Sequence, residues 1–229
     1  MDNLVLSRLD EMEKGYLDIS HLGLRSLPES PLWIEVVELN CGYNQLTALP
    51  KLPNVKILHC GYNQLTHLPK LPLVEYIYCN GNYLTTLPEI PNIKKLYCKG
   101  NELASLPEMP NLKYLYCQRN KLTVLPGCPN LEHLYCHGNK LTVIPRLPNI
   151  KLLYAMDNLL YYNPKFNKLH WAMINFIILK IYVNRWRKFN QRTVSNKKQD
   201  LHNELLYSPD LPFYKNTGEY VHWHQMTKE

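Results

Sequence analysis

Apolar residues recur along most of this chain at fixed places in a 19-residue frame. Leu52–Lys70 shows the frame well, and further copies begin at Leu71, Ile90, Met109, Cys128 and Leu147. In one copy the constant places are Val55, Leu58, Cys60, Asn63, Leu65, Leu68, Pro69 and Pro72. Around Leu58 and Cys60 apolar and polar residues alternate, which predicts a short strand with those two side chains turned inward and Ile57, His59 and Gly61 turned outward. The arm that follows carries prolines three apart, at 69 and 72, so it cannot be helical and is expected to run extended. A strand, a turn and a return arm at constant period predict a solenoid. Burying one Leu contributes about 1.5–3 kcal/mol, too little for a single coil to offset its own chain entropy, so the coils must stack.

The pattern wears down at both ends. Leu17, Ile19, Leu24, Leu27 and Pro28 form a first copy in which Leu22 stands in the Asn place. The step from Ile19 to Cys41 is three residues longer than the later ones, so the loop Glu29–Glu35, with Trp33, is expected to bulge. Before it, Asp2 followed by Leu4, Val5, Leu6, Leu9 and Met12 predicts an amphipathic capping helix that ends at Gly15. After it, Asn163-Pro164 has the form of a helix start. The apolar run from Phe166 to Val183 is interrupted by Lys180 and falls short of a comfortable membrane span of about 20 residues. It turns basic at Arg185, Arg187, Lys188 and Arg192 around Trp186 and Phe189. The aromatic tail beyond Asp200 is expected to pack back in part. The domains expected are therefore a cap over 1–15, the solenoid over 16–164 and a C-terminal cap over 165–229.

Composition changes this picture at two points. Six of the seven cysteines, Cys41, Cys60, Cys79, Cys98, Cys117 and Cys136, share one inward place, and Cys128 takes another apolar one. Single cysteines at even spacing behave as small buried hydrophobes. Their parallel Cβ directions oppose bridging. A ladder does not converge on a metal, and free thiols suit a reducing, cytoplasmic setting. Met1–Glu13 has no apolar stretch of the kind that opens a signal peptide. The net charge of +7 is local: nine Lys or Arg and no acid lie between Asn158 and Gln199. A basic amphipathic helix there could meet a membrane surface or an acidic partner.

The Asn column, from Asn44 at 19-residue steps to Asn158, sits where each strand turns away. Its amides can satisfy backbone groups left unpaired inside the turn. The outward places carry the candidate chemistry. The place before each Cys reads Asn40, His59, Tyr78, Tyr97, Tyr116 and Tyr135, and then Tyr154 before Ala155. The place two residues earlier holds Tyr76, Lys95, Tyr114 and His133; the place after Cys holds Lys99, Gln118 and His137. Tyr is a rigid, amphipathic contact residue enriched at interfaces. The candidate partner-binding set is therefore Tyr76, Tyr78, Lys95, Tyr97, Lys99, Tyr114, Tyr116, His133, Tyr135 and Tyr154. His133 and His137 lie about 13 Å apart along a strand, too far to share a metal. No catalytic set, cofactor motif or metal site is apparent. Stacking of single-stranded bases on the Tyr column, aided by Lys95, Lys99 and Arg119, is the alternative reading.

The frame L-x-x-L-x-C-x-x-N-x-L-x-x-L-P-x-x-P resembles the leucine-rich repeat, with Cys where many such repeats carry Leu or Val. Its short Pro-rich copies are similar to those of secreted bacterial leucine-rich repeat effectors and of giant DNA viruses of amoebae. The resemblance implies an α/β solenoid: a horseshoe with a parallel concave β-sheet, extended convex arms and helical caps at both ends. For function it implies binding to a protein partner. Some bacterial effectors append a ubiquitin-ligase domain with a catalytic Cys. No Cys follows Cys136, so a non-enzymatic role is expected.

Overall fold

The computed structural model describes residues 2–162 and Val183. The chain divides into two compact units, Met1–Asn163 and Pro164–Glu229. The helix start at Asn163-Pro164, the basic helix around Trp186 and the aromatic tail lie outside the described residues, apart from Val183.

Eight three-residue strands form one parallel sheet in chain order: β1 (Tyr16–Asp18), β2 (Glu38–Asn40), β3 (Ile57–His59), β4 (Tyr76–Tyr78), β5 (Lys95–Tyr97), β6 (Tyr114–Tyr116), β7 (His133–Tyr135) and β8 (Leu152–Tyr154). From β2 onward each residue pairs with the one 19 places later, as Leu58 with Ile77; β1 pairs with β2 at an offset of 22. The ladder continues past each strand, for Cys60 N–H donates to the Tyr78 carbonyl at 2.9 Å and Tyr62 N–H to that of Asn80 at 2.7 Å. Each central strand residue is buried, and from β2 to β7 its two neighbours are half-buried, which is the alternation expected; at the two ends Tyr16 of β1 and Tyr154 of β8 are exposed.

The core is a set of parallel columns. The Leu58, Cys60 and Leu65 places are closed to solvent in coil after coil, joined by the Leu52 and Val55 places. Leu68 is buried too, but its equivalents Leu49, Leu87, Leu106 and Leu125 are only half-buried. That place is the rim of the core, where the chain swings out towards its prolines. The arms contain no helix from Cys41 to Asn158; they run without regular structure and close in a turn, as where Val74 N–H donates to the Leu71 carbonyl at 3.4 Å.

Each Asn of the column ties two coils together. Asn101 Nδ2 donates to the carbonyls of Cys98 in its own coil and Cys79 in the one before, both at 3.0 Å. Its Oδ1 accepts from Leu84 N–H at 3.0 Å. Each Cys carbonyl thus receives two amides, while each Leu N–H depends on one Asn from the following coil.

All seven cysteines are free and buried. Burial pushes the thiols of Cys41, Cys79 and Cys136 up to about 12, and that of Cys128 to about 11. None is accessible or ionised enough to react, since the thiolate is the nucleophile. The native protein is expected to leave all seven thiols unlabelled by a thiol reagent at pH 8, and to expose all seven in denaturant. Rapid native labelling of any of them would contradict the column.

The N-terminal part differs from its sequence reading in two respects. Helix α1 spans Asp2–Asp10, with Asp2 inside the helix; it buries Val5 and Leu9 and lies against β1 and the short 3-10 helix η1 (Pro31–Glu35). It ends at Asp10, well before Gly15, and Gly15 serves the sheet instead. At φ +75°, its carbonyl accepts from Val37 and Glu38, and a Cβ there would come within 2.7 Å of Val37. The three additional residues are taken up in a 3-10 helix instead of an irregular loop. Pro31–Glu35 forms η1, capped by Ser30, and Trp33 turns inward to 3% exposure with Nε1 donating to the Pro28 carbonyl at 2.9 Å. A second 3-10 turn, Leu159–Tyr162, follows β8. No helix among the described residues is long and apolar enough to cross a membrane.

Candidate interaction surface

Because strands pair at constant offset, equal places fall side by side and the Tyr column becomes a continuous stack. His59, Tyr78, Tyr97, Tyr116, Tyr135 and Tyr154 follow one another with ring centroids 4.3, 4.7, 4.3, 4.6 and 4.8 Å apart. Their planes lie within 18° of parallel. The spacing is that of the strands themselves, about 4.8 Å, so the backbone sets the contact and the rings reinforce it. Each inner ring is faced on both sides by its neighbours and offers outward only its edge and hydroxyl. Burial, with Tyr116 next to it, pushes the Tyr97 hydroxyl up to about 12; Tyr135 is raised for the same reasons. Both hydroxyls therefore stay protonated at neutral pH and can donate as well as accept.

The neighbouring column brings in the other candidates. Lys95 Nζ sits between the Tyr76 and Tyr114 rings, 5.7 and 4.9 Å from their centroids, a double cation–π contact. The Tyr114 ring also meets His133 at 4.8 Å, tilted by 32°. Tyr76, Tyr78, Lys95, Tyr97, Tyr114, Tyr116, His133 and Tyr135 are half-buried, while Lys99 and Tyr154 are exposed. The ten candidate residues thus occupy adjoining columns of one sheet face. Base stacking is not supported, because a base needs a free aromatic face and the inner rings have given both of theirs to one another. Among the described residues no group of His, Cys, Asp or Glu is placed to hold a metal ion.

Two features escaped the sequence reading. Gln118, in an outward place, is only 7% exposed, and its Oε1 is buried without a partner. Beyond the Tyr column lies a second stack, His21–Tyr43–Tyr62, with centroids 4.4 and 4.7 Å apart. These residues hold the left-handed turn place, at φ 57°, 55° and 56°, which Gly fills at 81, 100 and 138. Tyr62 lays its ring over Gly81, where a Cβ would come within 2.9 Å of it. The signal was present as a column of His, Tyr, Tyr, Gly, Gly, Arg, Gly and Asp. A mixture that rich in Gly marks positive φ.

A parallel β-solenoid with asparagine turns and an aromatic outer sheet face defines the class to which this protein belongs. The family model described as Leucine Rich repeats (2 copies) matches residues 110–150. The leucine-rich repeat domain of a Shigella effector is similar at 31% identity, covering 74% of this chain and 83% of that one, with a TM-score of 0.64. The chain belongs to the leucine-rich repeat family, and its repeats are like those of bacterial effectors. YopM, a leucine-rich effector protein from Yersinia pestis, is similar at 32% identity over 69% of this chain, with a TM-score of 0.61. YopM from Yersinia enterocolitica WA-314 shows 31% identity over 68%, with a TM-score of 0.58. The match spans about half of the former, 54%, and 41% of the latter. No curated protein sequence matches the chain.

Proposed function

We propose that this protein is a non-enzymatic interaction module that holds a protein partner on the Tyr-rich face of its sheet. In this reading the sheet is the concave side of a horseshoe, residues 16–164 form the solenoid, and 1–15 and 165–229 cap its ends. The observation that carries it is the six-membered aromatic stack, half-buried from His59 to Tyr135 and exposed at Tyr154, with the hydroxyls of Tyr97 and Tyr135 held protonated. Such a surface presents apolar area and hydrogen-bonding groups at little cost in side-chain entropy, the combination favoured in protein contacts. The buried thiols, none of them ionised at neutral pH, support a non-enzymatic role in a reducing compartment.

Affinity capture from a cell lysate, with and without nuclease, tests this. Tyr97→Ala/Tyr116→Ala removes two adjacent rungs of the stack, and its circular dichroism and thermal midpoint are compared with the parent's first. The folded variant is expected to lose a protein that the parent retains, with affinity falling by about tenfold or more, as when central aromatic contacts are truncated. An unchanged capture would make the stack purely architectural. A capture abolished by nuclease would point to nucleic acid.

A further inference from the structure

The edge of the sheet at which the strands begin carries a second surface, where the residue before each strand and the Asn of the arm meet the first outward place of the strand. From β3 to β8 the residue before the strand reads Lys56, Glu75, Lys94, Lys113, Glu132 and Lys151. A groove of about 660 Å³ crosses this edge over consecutive coils, from Lys56 to Asn130. One wall is fixed by a ladder of side chains. Asn92, Asn111 and Asn130 donate from Nδ2 to the carbonyls of Pro72, Pro91 and Pro110 at 3.0, 3.0 and 2.9 Å. Lys56, Lys94, Lys95 and Lys113 line the groove with a single carboxylate, Glu75. Lys94 Nζ takes that carboxylate at 2.6 Å. Among the described residues no carboxylate comes within ion-pair distance, 4.0 Å, of Lys56, Lys95 or Lys113; Glu132, on the rung after Lys113, is taken by Lys151, and Lys113 adds to the field that holds its carboxyl low. This concentration is local, since residues 2–162 hold 15 Lys or Arg against 14 Asp or Glu.

We propose that the groove docks an extended acidic peptide segment of the protein partner, its carboxylates meeting Lys56, Lys95 and Lys113. The inference rests on reading the sheet face as protein-binding and adds the class of segment bound. The spacing fits. Lys56 and Lys113 are three rungs apart, about 14 Å at the strand spacing, which an extended chain covers in about four residues. Lys95 falls between them, so a run of four or five acidic residues crossing the strands meets all three. The groove's aromatic faces are engaged: Lys95 lies between Tyr76 and Tyr114, and His133 is on Tyr114's other side. The free chemistry offered is positive charge, which a carboxylate uses fully and a base does not.

The test is fluorescence anisotropy on the full chain with two labelled peptides, one carrying five consecutive Glu and the other five Gln. The Glu peptide is expected to bind with an affinity that falls steeply as salt rises from about 50 to 300 mM. Lys56→Glu/Lys113→Glu should weaken it by about tenfold or more, as should replacement of Glu by Gln in the peptide. Both lysines are exposed. Lys56→Gln/Lys113→Gln provides the same comparison at intermediate loss should the charge reversal disturb folding. Equal binding by parent and variants, including binding carried by the basic stretch beyond residue 162, overturns the proposal. So does equal binding of the Gln peptide, or tighter binding of an oligothymidylate of the same length through the same lysines. If the lysate capture depends on Tyr97 and Tyr116 but not on Lys56 and Lys113, the protein-binding reading stands and the acidic groove falls alone.

Discussion

Leu96→Ala is expected to lower stability by about 2–5 kcal/mol, the range for emptying a sealed core position, and to divide the unfolding of the solenoid. Leu96 is fully buried at the centre of β5, paired with Ile77 on one side and Leu115 on the other. Among the described residues the strands touch only their sequence neighbours, so within the sheet the N-terminal and C-terminal coils interact through the middle ones. A cavity there weakens both nearest-neighbour interfaces at once, and in a one-dimensional array those interfaces supply the cooperativity. Hydrogen exchange read segment by segment is the measurement. Amides before Ile77 and after Leu115 should exchange together in the parent and separately in the variant. A single common exchange rate, with a loss below about 1 kcal/mol, would mean that the site collapses around the smaller side chain.

Asn101 gives the second large effect, and its two substitutions should differ in pH dependence. Asn101→Ala orphans the Leu84 N–H but leaves the Cys79 and Cys98 carbonyls their other amides, from Asn82 and Asn120. The expected loss is that of one stranded donor, about 1–3 kcal/mol. Asn101→Asp keeps an acceptor for Leu84, yet aims a carboxylate at two carbonyl oxygens inside the core. Burial and those oxygens hold the folded-state pKa above the unfolded value near about 3.9. An acid with a raised folded pKa is more stable protonated. The variant is therefore most stable below about pH 4 and loses stability as pH rises, by about 1.4 kcal/mol per unit until the folded pKa is reached. At neutral pH it should be the weaker of the two. Urea midpoints between pH 3.5 and 8 decide this; parallel curves for Ala and Asp would show that the carboxylate escapes to solvent.

The columns that face into the solenoid were legible from the sequence because they are nearly constant. Leu58, Cys60, Asn63 and Leu65 recur with few changes, and each type has one physical reason to be in its place. The Tyr column was legible for the same reason. What it does with its faces was not: whether rings stack on one another or stand ready for a ligand depends on rung spacing and rotamer, which a periodic string does not carry. The basic groove was missed because its three columns vary in type, Lys with Glu, Asn with Leu73, and become a surface only when placed side by side. Helix α1 was expected to run to Gly15 on the strength of a glycine stop signal. That glycine was answering the approach of Val37 from another coil.

The asparagine column also gives the solenoid a direction in time. Each Leu N–H at the turn finds its acceptor only on the Asn 17 residues further along, as Leu84 does on Asn101 and Leu122 on Asn139. During synthesis a newly made coil therefore has its apolar side chains and its turn, but an unanswered donor, until the ribosome has delivered most of the next. The nascent chain should gain protection in steps of one repeat, always one repeat behind the growing end. At the far end of the described residues Leu160 N–H breaks the sequence by donating to the Leu141 carbonyl at 2.8 Å, so this coil closes on the one already made.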